Sequence, residues 1–398
     1  MDNRHILGID VGTSTIKVFI GTMAMDGDLL IAGSGTMPTR GFDKGIITDH
    51  RLLAMSISEA VECAVMATNI AVKDAYIGVG GVEINSISSI GSIGLKVTDP
   101  ITHEDINRVY QAAILAGVPD DYEVLHLLPK SFCIDKQRQV DLPLQQKGAH
   151  LEVEAHIVLM PKLVMNTLVS AVEKLGIHVI GVVVNPIVAA QALTTISTQN
   201  CLFMDIGAGT TDLILYRDSQ IYLSKSLPLG GDYITSDIMQ GLSISYNHAE
   251  DIKKYYAKLD KGLRGQKIIL DCNDHDTSDK QIAYDFLYEI IESRIDEIVY
   301  LVHEYLKSTV PVDDFEKIFL TGGCGAIPSV GDSVQKIFGI PVEIVMPKEL
   351  LPEYAGPANA ACYGVLTYAV NNRPDPQVMM SHSAWETLQS KFKKFFNS

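Results

Sequence analysis

Short apolar runs alternate with glycine- and hydroxyl-rich turns along this chain, and two of the turns repeat one another. Ile6 to Ile9 and Ile16 to Ile20 read as strands on either side of Asp10-Val11-Gly12-Thr13-Ser14-Thr15. Leu202 to Met204 and Leu213 to Tyr216 flank Asp205-Ile206-Gly207-Ala208-Gly209-Thr210-Thr211-Asp212 in the same way, so both turns join strand to strand. A third run, Ile318 to Leu320, enters Thr321-Gly322-Gly323-Cys324-Gly325-Ala326, after which Ser329 to Phe338 has helical spacing. The most apolar interior stretch, Leu175 to Leu193, is interrupted by His178, Asn185 and Pro186 and predicts a strand followed by a helix, not a membrane span. Pro186-Ile187-Val188-Ala189-Ala190-Gln191-Ala192 and Pro357-Ala358-Asn359-Ala360-Ala361 each put proline in a first helical turn ahead of small residues. Two closely crossing helices, one per half, are expected beneath a cleft; Ala-rich helices packed inside each half are the alternative.

Neither hairpin turn carries a terminal Gly-Lys-Ser/Thr, which excludes a strand-to-helix phosphate loop of that kind. Glycines instead allow a bend tight enough for successive N–H groups to face one anion, and the Ser and Thr hydroxyls add donors without charge. Asp10 and Asp205 suit Mg2+ held beside a polyphosphate, and Lys17 brings positive charge. Ala208 stands where a third glycine would be more typical, which is tolerated if its φ is negative. Either hairpin alone also reads as an ordinary turn, and the double glycine at 322 as close strand–helix packing. The three in this order point to a phosphate clamp closing from two sides, with a flat ring against bare backbone.

The stretch from 81 to 160 does not fit a plain nucleotide-binding half. Gly80-Gly81 closes a strand, Thr102-x-x-Asp105 opens a helix over Ile106 to Ala116 in the manner of a capping box, and strands at Val124 to Leu128 and Leu151 to Leu159 surround it. A second insertion, 243–315, carries a helical stretch from Asp285 to Leu306 with a charged face.

Composition agrees with a large α/β protein: 398 residues with 47% hydrophobic content support two or more cores. The six cysteines are scattered without close pairs, which disfavours a zinc site or a disulfide framework and suits a reducing cytoplasm. The first residues run straight into a strand, so no signal peptide is expected. A net charge of −16 with no basic face in the body disfavours a general nucleic-acid-binding role. The C-terminus departs from this balance. Pro374-Asp375-Pro376 breaks structure, and 384–398 then reads as a helix carrying +2, which leaves −18 on the rest. At about 100° per residue, Trp385, Leu388, Phe392, Phe395 and Phe396 share an arc of about 100°, with Lys391, Lys393 and Lys394 off it. A basic, aromatic helix behind a breaker suits an anionic membrane surface, with a helix packed on the body as the alternative.

The order of first phosphate loop, connecting helix, second phosphate loop, adenosine loop and second connecting helix resembles the actin and heat-shock chaperone ATPase superfamily. Gly41-Phe42-Asp43-Lys44-Gly45-Ile46-Ile47-Thr48-Asp49, His126 to Asp135, Gly148 to Val158, Leu229 to Ile238 and Ala249-Glu250-Asp251-Ile252-Lys253 are similar to segments of the bacterial cell-division FtsA family over nearly the whole chain. The resemblance implies an α/β actin-like ATPase fold of two ribonuclease-H-like halves around a nucleotide cleft. It places the first half at 1–80 and 161–195, the inserted subdomain at 81–160, and the second half at 196–242 and 316–370. An insertion at 243–315, a linker at 371–383 and a membrane-targeting amphipathic helix at 384–398 complete the division. It implies ATP held by Gly12, Thr13, Ser14 and Lys17 on one side and Gly207, Gly209, Thr210 and Thr211 on the other, with Asp10 and Asp205 organising Mg2+ through water. Gly230, Gly231, Glu250, Lys253, Gly322, Gly323 and Ala326 would hold the nucleoside, although Glu250 and Lys253 also read as an exposed helical charge pair. Arg294 would lie near the docking surface for the FtsZ tail. The implied function is a slowly hydrolysing filament former at the cytoplasmic face of the cell membrane, tethering FtsZ at the division site and recruiting later division proteins through the inserted subdomain. A pilus-assembly adaptor of related fold and a sugar-kinase-like enzyme are the alternatives.

Overall fold

The structure is a computed structural model and describes residues 5–24, 29–68, 70–194, 200–257, 261–270, 280–310, 315–348 and 352–372. The expected C-terminal helix, with Trp385, Leu388, Lys391, Phe392, Lys393, Lys394, Phe395 and Phe396, lies outside the described residues.

β1 (Ile6–Val11) is buried at every position, which is why Ile6 to Ile9 read as an apolar run ahead of Asp10: a central strand covered on both faces has no solvent side. The first turn leads to β2 (Thr15–Met23) and β3 (Leu29–Pro38), antiparallel in sequence, then to the small hairpin of β4 (Phe42–Asp43) and β5 (Ile46–Ile47). α1 (His50–Thr68) crosses back to β6 (Asp74–Val79), which pairs parallel to β1.

Here the chain leaves the sheet. β7 (Asn85–Gly94), α2 (His103–Gly117), β8 (Tyr122–Ile134), β9 (Arg138–Val140) and β10 (His150–Pro161) form a separate antiparallel sheet ordered β7-β10-β8-β9. α2 begins at a complete capping box: the Thr102 side chain accepts from the Asp105 amide, and the Asp105 carboxylate accepts from the Thr102 amide. Tyr110, Phe132, Leu151 and Val153 give this unit its own core.

α3 (Lys162–Glu173) and β11 (His178–Val184) return to the first half, completing the order β11-β6-β1-β2-β3, and α4 (Asn185–Leu193) follows. The second half repeats this plan. β12 (Cys201–Ile206), β13 (Thr211–Arg217) and β14 (Gln220–Leu227) form the antiparallel meander. α5 (Gly231–Leu242), α6 (Tyr246–Tyr256), the hairpin of β15 (Lys267–Leu270) and β16 (Lys280–Ala283), and α7 (Tyr284–Thr309) come next. β17 (Lys317–Thr321), α8 (Pro328–Phe338) and β18 (Val342–Ile344) then add two parallel strands, giving β14-β13-β12-β17-β18.

α9 (Ala360–Asn371) crosses back to pack on β1, β2 and β6, while α4 packs on β12 and β13. The two helices lie against each other between the sheets, close enough that a Cβ on Gly364 would stand 2.6 Å from the Ala189 amide nitrogen. Two sheets of one topology joined by a crossed helix pair are the duplicated halves of an actin-like α/β fold. Among the described residues no helix is long and apolar enough to cross a membrane.

Candidate functional site

The repeated turns face each other over a cleft of about 560 Å³ between the halves. Each is closed by the same bond, from the Gly12 amide to the Thr15 carbonyl (3.2 Å) and from the Gly207 amide to the Thr210 carbonyl (2.9 Å). The Thr13, Ser14, Ala208 and Gly209 amides donate to no backbone carbonyl among the described residues; Thr13, Ser14 and Ala208 line the cleft and Gly209 does not, so each half offers N–H groups that suit an anion. Neither turn uses positive φ, and Ala208 therefore carries no conformational penalty. Gly209 is dictated by the opposite turn instead: a Cβ there would lie 2.7 Å from Thr13 Cγ2.

Asp10, Asp205 and Asp212 line this space and are all nearly buried. Burial lifts Asp10 to about 6, against the pull of Lys17 and of Asn185, whose Nδ2 donates to Asp10 Oδ1 at 2.7 Å. Asp205 is pushed up to about 8 by burial and by the charges of Asp212 and Asp10. Asp212 rises to about 6 through burial, although the Ser226 and Thr210 hydroxyls and the Gly81 amide favour its ionised form. Lys17 also lines the cleft and donates to the Ala358 carbonyl.

The acids form no ready-made cage, since no group of three His, Cys, Asp or Glu side chains among the described residues could hold a metal alone. They fit a cation bound mainly through water and phosphate oxygens, as Mg2+ usually is. Three buried carboxylates beside one lysine repel one another, and a divalent cation relieves that repulsion. Asp212 is the residue that glycine-and-hydroxyl patterning misses. Its signal is the hairpin register, which makes it the cross-strand partner of Asp205.

At the end of the cleft expected to take the nucleoside, the two glycines opening α5 are partly committed. The Gly231 and Asp232 amides donate to the Gly207 (3.0 Å) and Ala208 (2.8 Å) carbonyls, so this helix start braces the second turn. Gly230 backs onto the Ala208 carbonyl and does not line the cleft, whereas Gly231 does. Lys253 is buried, 2.6 Å from Glu250, and donates to Thr235 Oγ1 (2.9 Å) and the Gly231 carbonyl (3.1 Å). Burial opposes ionisation of Glu250, but Lys253, Thr235 and Lys254 together hold its carboxyl below the usual range. Gly322 takes φ +94° against the Asp205 carboxylate. A Cβ on Gly323 would meet nothing nearer than Ala358 Cβ at 3.9 Å, so its backbone lies open beside the apolar wall of Ala326, Ile327 and Ala257.

Three further positions depart from the cleft. The Thr211 hydroxyl turns away to the Leu229 carbonyl (2.7 Å), while Thr210 donates to Asp212 (3.2 Å). Gln191 is exposed and does not line the cleft. Arg294 is bidentate on Asp237 of α5 (2.5 and 2.9 Å) and bonds Glu297 (2.7 Å), so its guanidinium ties α7 to α5. At the rim, Lys44 reaches from the first half to the Tyr233 hydroxyl of the second (3.3 Å).

Because Lys253 neutralises a carboxylate in a largely buried setting, Lys253→Met is expected to destabilise the nucleotide-free protein by about 3 kcal/mol through the uncompensated Glu250. Denaturant unfolding checks this, and a change below about 0.5 kcal/mol would mean a merely superficial pair.

Comparison with known proteins agrees with this architecture. The family model "Cell division protein FtsA" matches residues 202–364, and "SHS2 domain inserted in FTSA" matches residues 81–159. Cell division protein FtsA of Bacillus subtilis (strain 168) is 30% identical over 382 residues, covering 93% of this chain and 84% of the relative. Among solved structures, the PilM-PilN type IV pilus biogenesis complex superposes with a TM-score of 0.62 at 16% identity, covering 94% of this chain and 100% of the other. MreB 5 of Spiroplasma citri bound to AMPPNP gives 0.52 at 15% identity, covering 92% and 96%. The structural likenesses speak for the actin-like fold. The sequence match, spanning both halves and the insertion, shows that the chain belongs to the FtsA family of cell division proteins.

Proposed function

We propose that this protein binds ATP with Mg2+ between its halves, polymerises at the cytoplasmic face of the cell membrane, and tethers FtsZ there at the division site. The observation that carries the nucleotide reading is the meeting of two equivalent turns and three buried acids across one cleft. Thr13, Ser14, Ala208 and Gly209 amides and Lys17 would hold the phosphates. Asp10, Asp205 and Asp212 would hold Mg2+, which supplies charge neutralisation. The Gly323 backbone and the Ala326 wall would take the base, with Glu250 and Lys253 beside the ribose. Nucleotide in this position joins the halves, so filament assembly becomes sensitive to its presence. The aromatic, basic segment at 384–398 would bind lipid reversibly, since an isolated helix so short folds only marginally in water. A filament multiplies such contacts into avidity. The region around 243–315 would receive the FtsZ tail and the inserted subdomain later division proteins. Family membership favours this reading over the pilus-adaptor and sugar-kinase alternatives.

Turnover is expected to be slow. In-line attack needs a group that orients water. The Asn185 amide nitrogen is committed to Asp10, and Asp212 is engaged by Thr210. Steady-state ATPase assays should give less than about 1 s⁻¹, below the range of kinases. A kinase-like rate that disappears in Asp205→Ala would overturn the reading of ATP as a structural ligand.

A further inference from the structure

The inserted subdomain grows from the first half but rests on the second. Ser86 at the start of β7 donates to the Ser224 carbonyl on β14 (3.0 Å), and His156 Nε2 of β10 lies 2.7 Å from the Ser224 hydroxyl. Both His156 and Ser224 are buried. Burial, with Lys130 nearby, depresses the imidazole to about 4, so it is neutral at physiological pH. Parting this pair would leave two buried polar groups unsatisfied, which makes the seam specific. At its solvent edge Lys130 of β8 stands 4.6 Å from the centre of the Tyr222 ring of β14.

β14 carries the seam into the cleft. Side chains two apart on a strand point to one face, so Ser226 follows Ser224, and across the hairpin Ser226 is paired with Asp212. The buried Ser226 hydroxyl stands near enough to Asp212 to favour the carboxylate. Between Ser224, Ser226, Asp212 and Gly81 lies a small pocket of about 20 Å³, walled otherwise mainly by the apolar side chains of Ile84, Val184, Pro186 and Ile214. Gly81, at the root of the insertion, also turns its amide toward Asp212. The cleft carboxylate is thus approached both from the insertion's root and from the strand on which the insertion rests.

We propose that nucleotide occupancy of the cleft and seating of the inserted subdomain on β14 are coupled, with Ser224, Ser226 and Asp212 as the link. The inference rests on the nucleotide reading above. The coupling is reciprocal: nucleotide tightens the seam, and a seated insertion raises nucleotide affinity. It would let a partner bound to the insertion sense the state of the cleft.

Hydrogen exchange of the full-length chain with and without Mg-ATP, together with Mg-ATP titrations, tests the proposal. In the wild type, Mg-ATP should slow exchange at 85–94 and 220–227. His156→Phe should abolish that protection and weaken Mg-ATP binding about tenfold. Tyr222→Ala, at the half-exposed edge of the seam, should act in the same direction and serves if His156→Phe does not fold. If the wild type binds Mg-ATP while seam exchange is unchanged and the variants bind within about twofold of it, the coupling is wrong and the nucleotide reading stands. If the wild type binds no Mg-ATP, both fall.

Discussion

Replacing Asp205 with asparagine should stabilise the nucleotide-free protein and at the same time weaken Mg-ATP binding at least about a hundredfold, a loss of about 2.7 kcal/mol. The two effects have one cause. Asp205 is buried against Asp212 and Asp10, so without a cation its charge is unfavourable and its pKa climbs to about 8. With Mg2+ and phosphate in place the same charge becomes attractive. The sign of the pH dependence follows. A carboxyl whose folded value stands above its ordinary value of 3.8 binds its proton more tightly when folded. Its contribution to stability is therefore complete below about pH 4 and is lost as pH rises toward 8. In Mg2+-free buffer the thermal midpoint should fall across that interval, with Asp10 and Asp212 contributing near pH 6. Asp205→Asn should flatten the upper part of the fall. A variant less stable than the wild type at pH 8, or one that keeps its Mg-ATP affinity, would remove the acids from the proposed role.

A second large effect is expected at the helix crossing. Gly364→Val places a side chain whose Cβ would lie 2.6 Å from Ala189 N and 2.7 Å from Val188 C, both backbone atoms. The clash cannot be relieved by a rotamer change, so α4 and α9 must separate. Overpacking of this kind costs about 3 kcal/mol or more. Because α9 covers the first sheet and α4 the second, separation also loosens the floor of the cleft. Denaturant unfolding should show the full loss, while Gly94→Ala, where a Cβ meets nothing within 4 Å, should stay within about 0.5 kcal/mol. Equal stabilities of the two variants would mean that the helix contact does not hold the halves together.

What could be read from the sequence was local. Buried central strands such as β1 and β12 announce themselves as apolar runs leading into an aspartate, and the capping box at Thr102 marks α2 to within a turn. α7 extends only a few residues beyond the stretch marked by its periodicity. β8 runs well past the segment at Val124 to Leu128, because its far end, Lys130 to Ile134, mixes polar and apolar residues on a half-solvated sheet, whereas β10 stays close to Leu151 to Leu159. What escaped depends on distant partners. Asp212 becomes a cleft residue only once the hairpin register is known. The pairing of Arg294 spans 57 residues to Asp237, and the His156 seam spans 68 to Ser224. The Thr211 hydroxyl looked equivalent to that of Thr210, yet alternation on β13 turns it to the other side.

The measurement that bears most directly on the account is co-sedimentation of the full-length chain with anionic liposomes, in Mg-ATP and with purified FtsZ, beside a chain ending at Ser383. The full-length protein should pellet and carry FtsZ with it, whereas the shortened chain should leave both in solution. Equal pelleting of the two chains, or liposome binding without FtsZ, would contradict it.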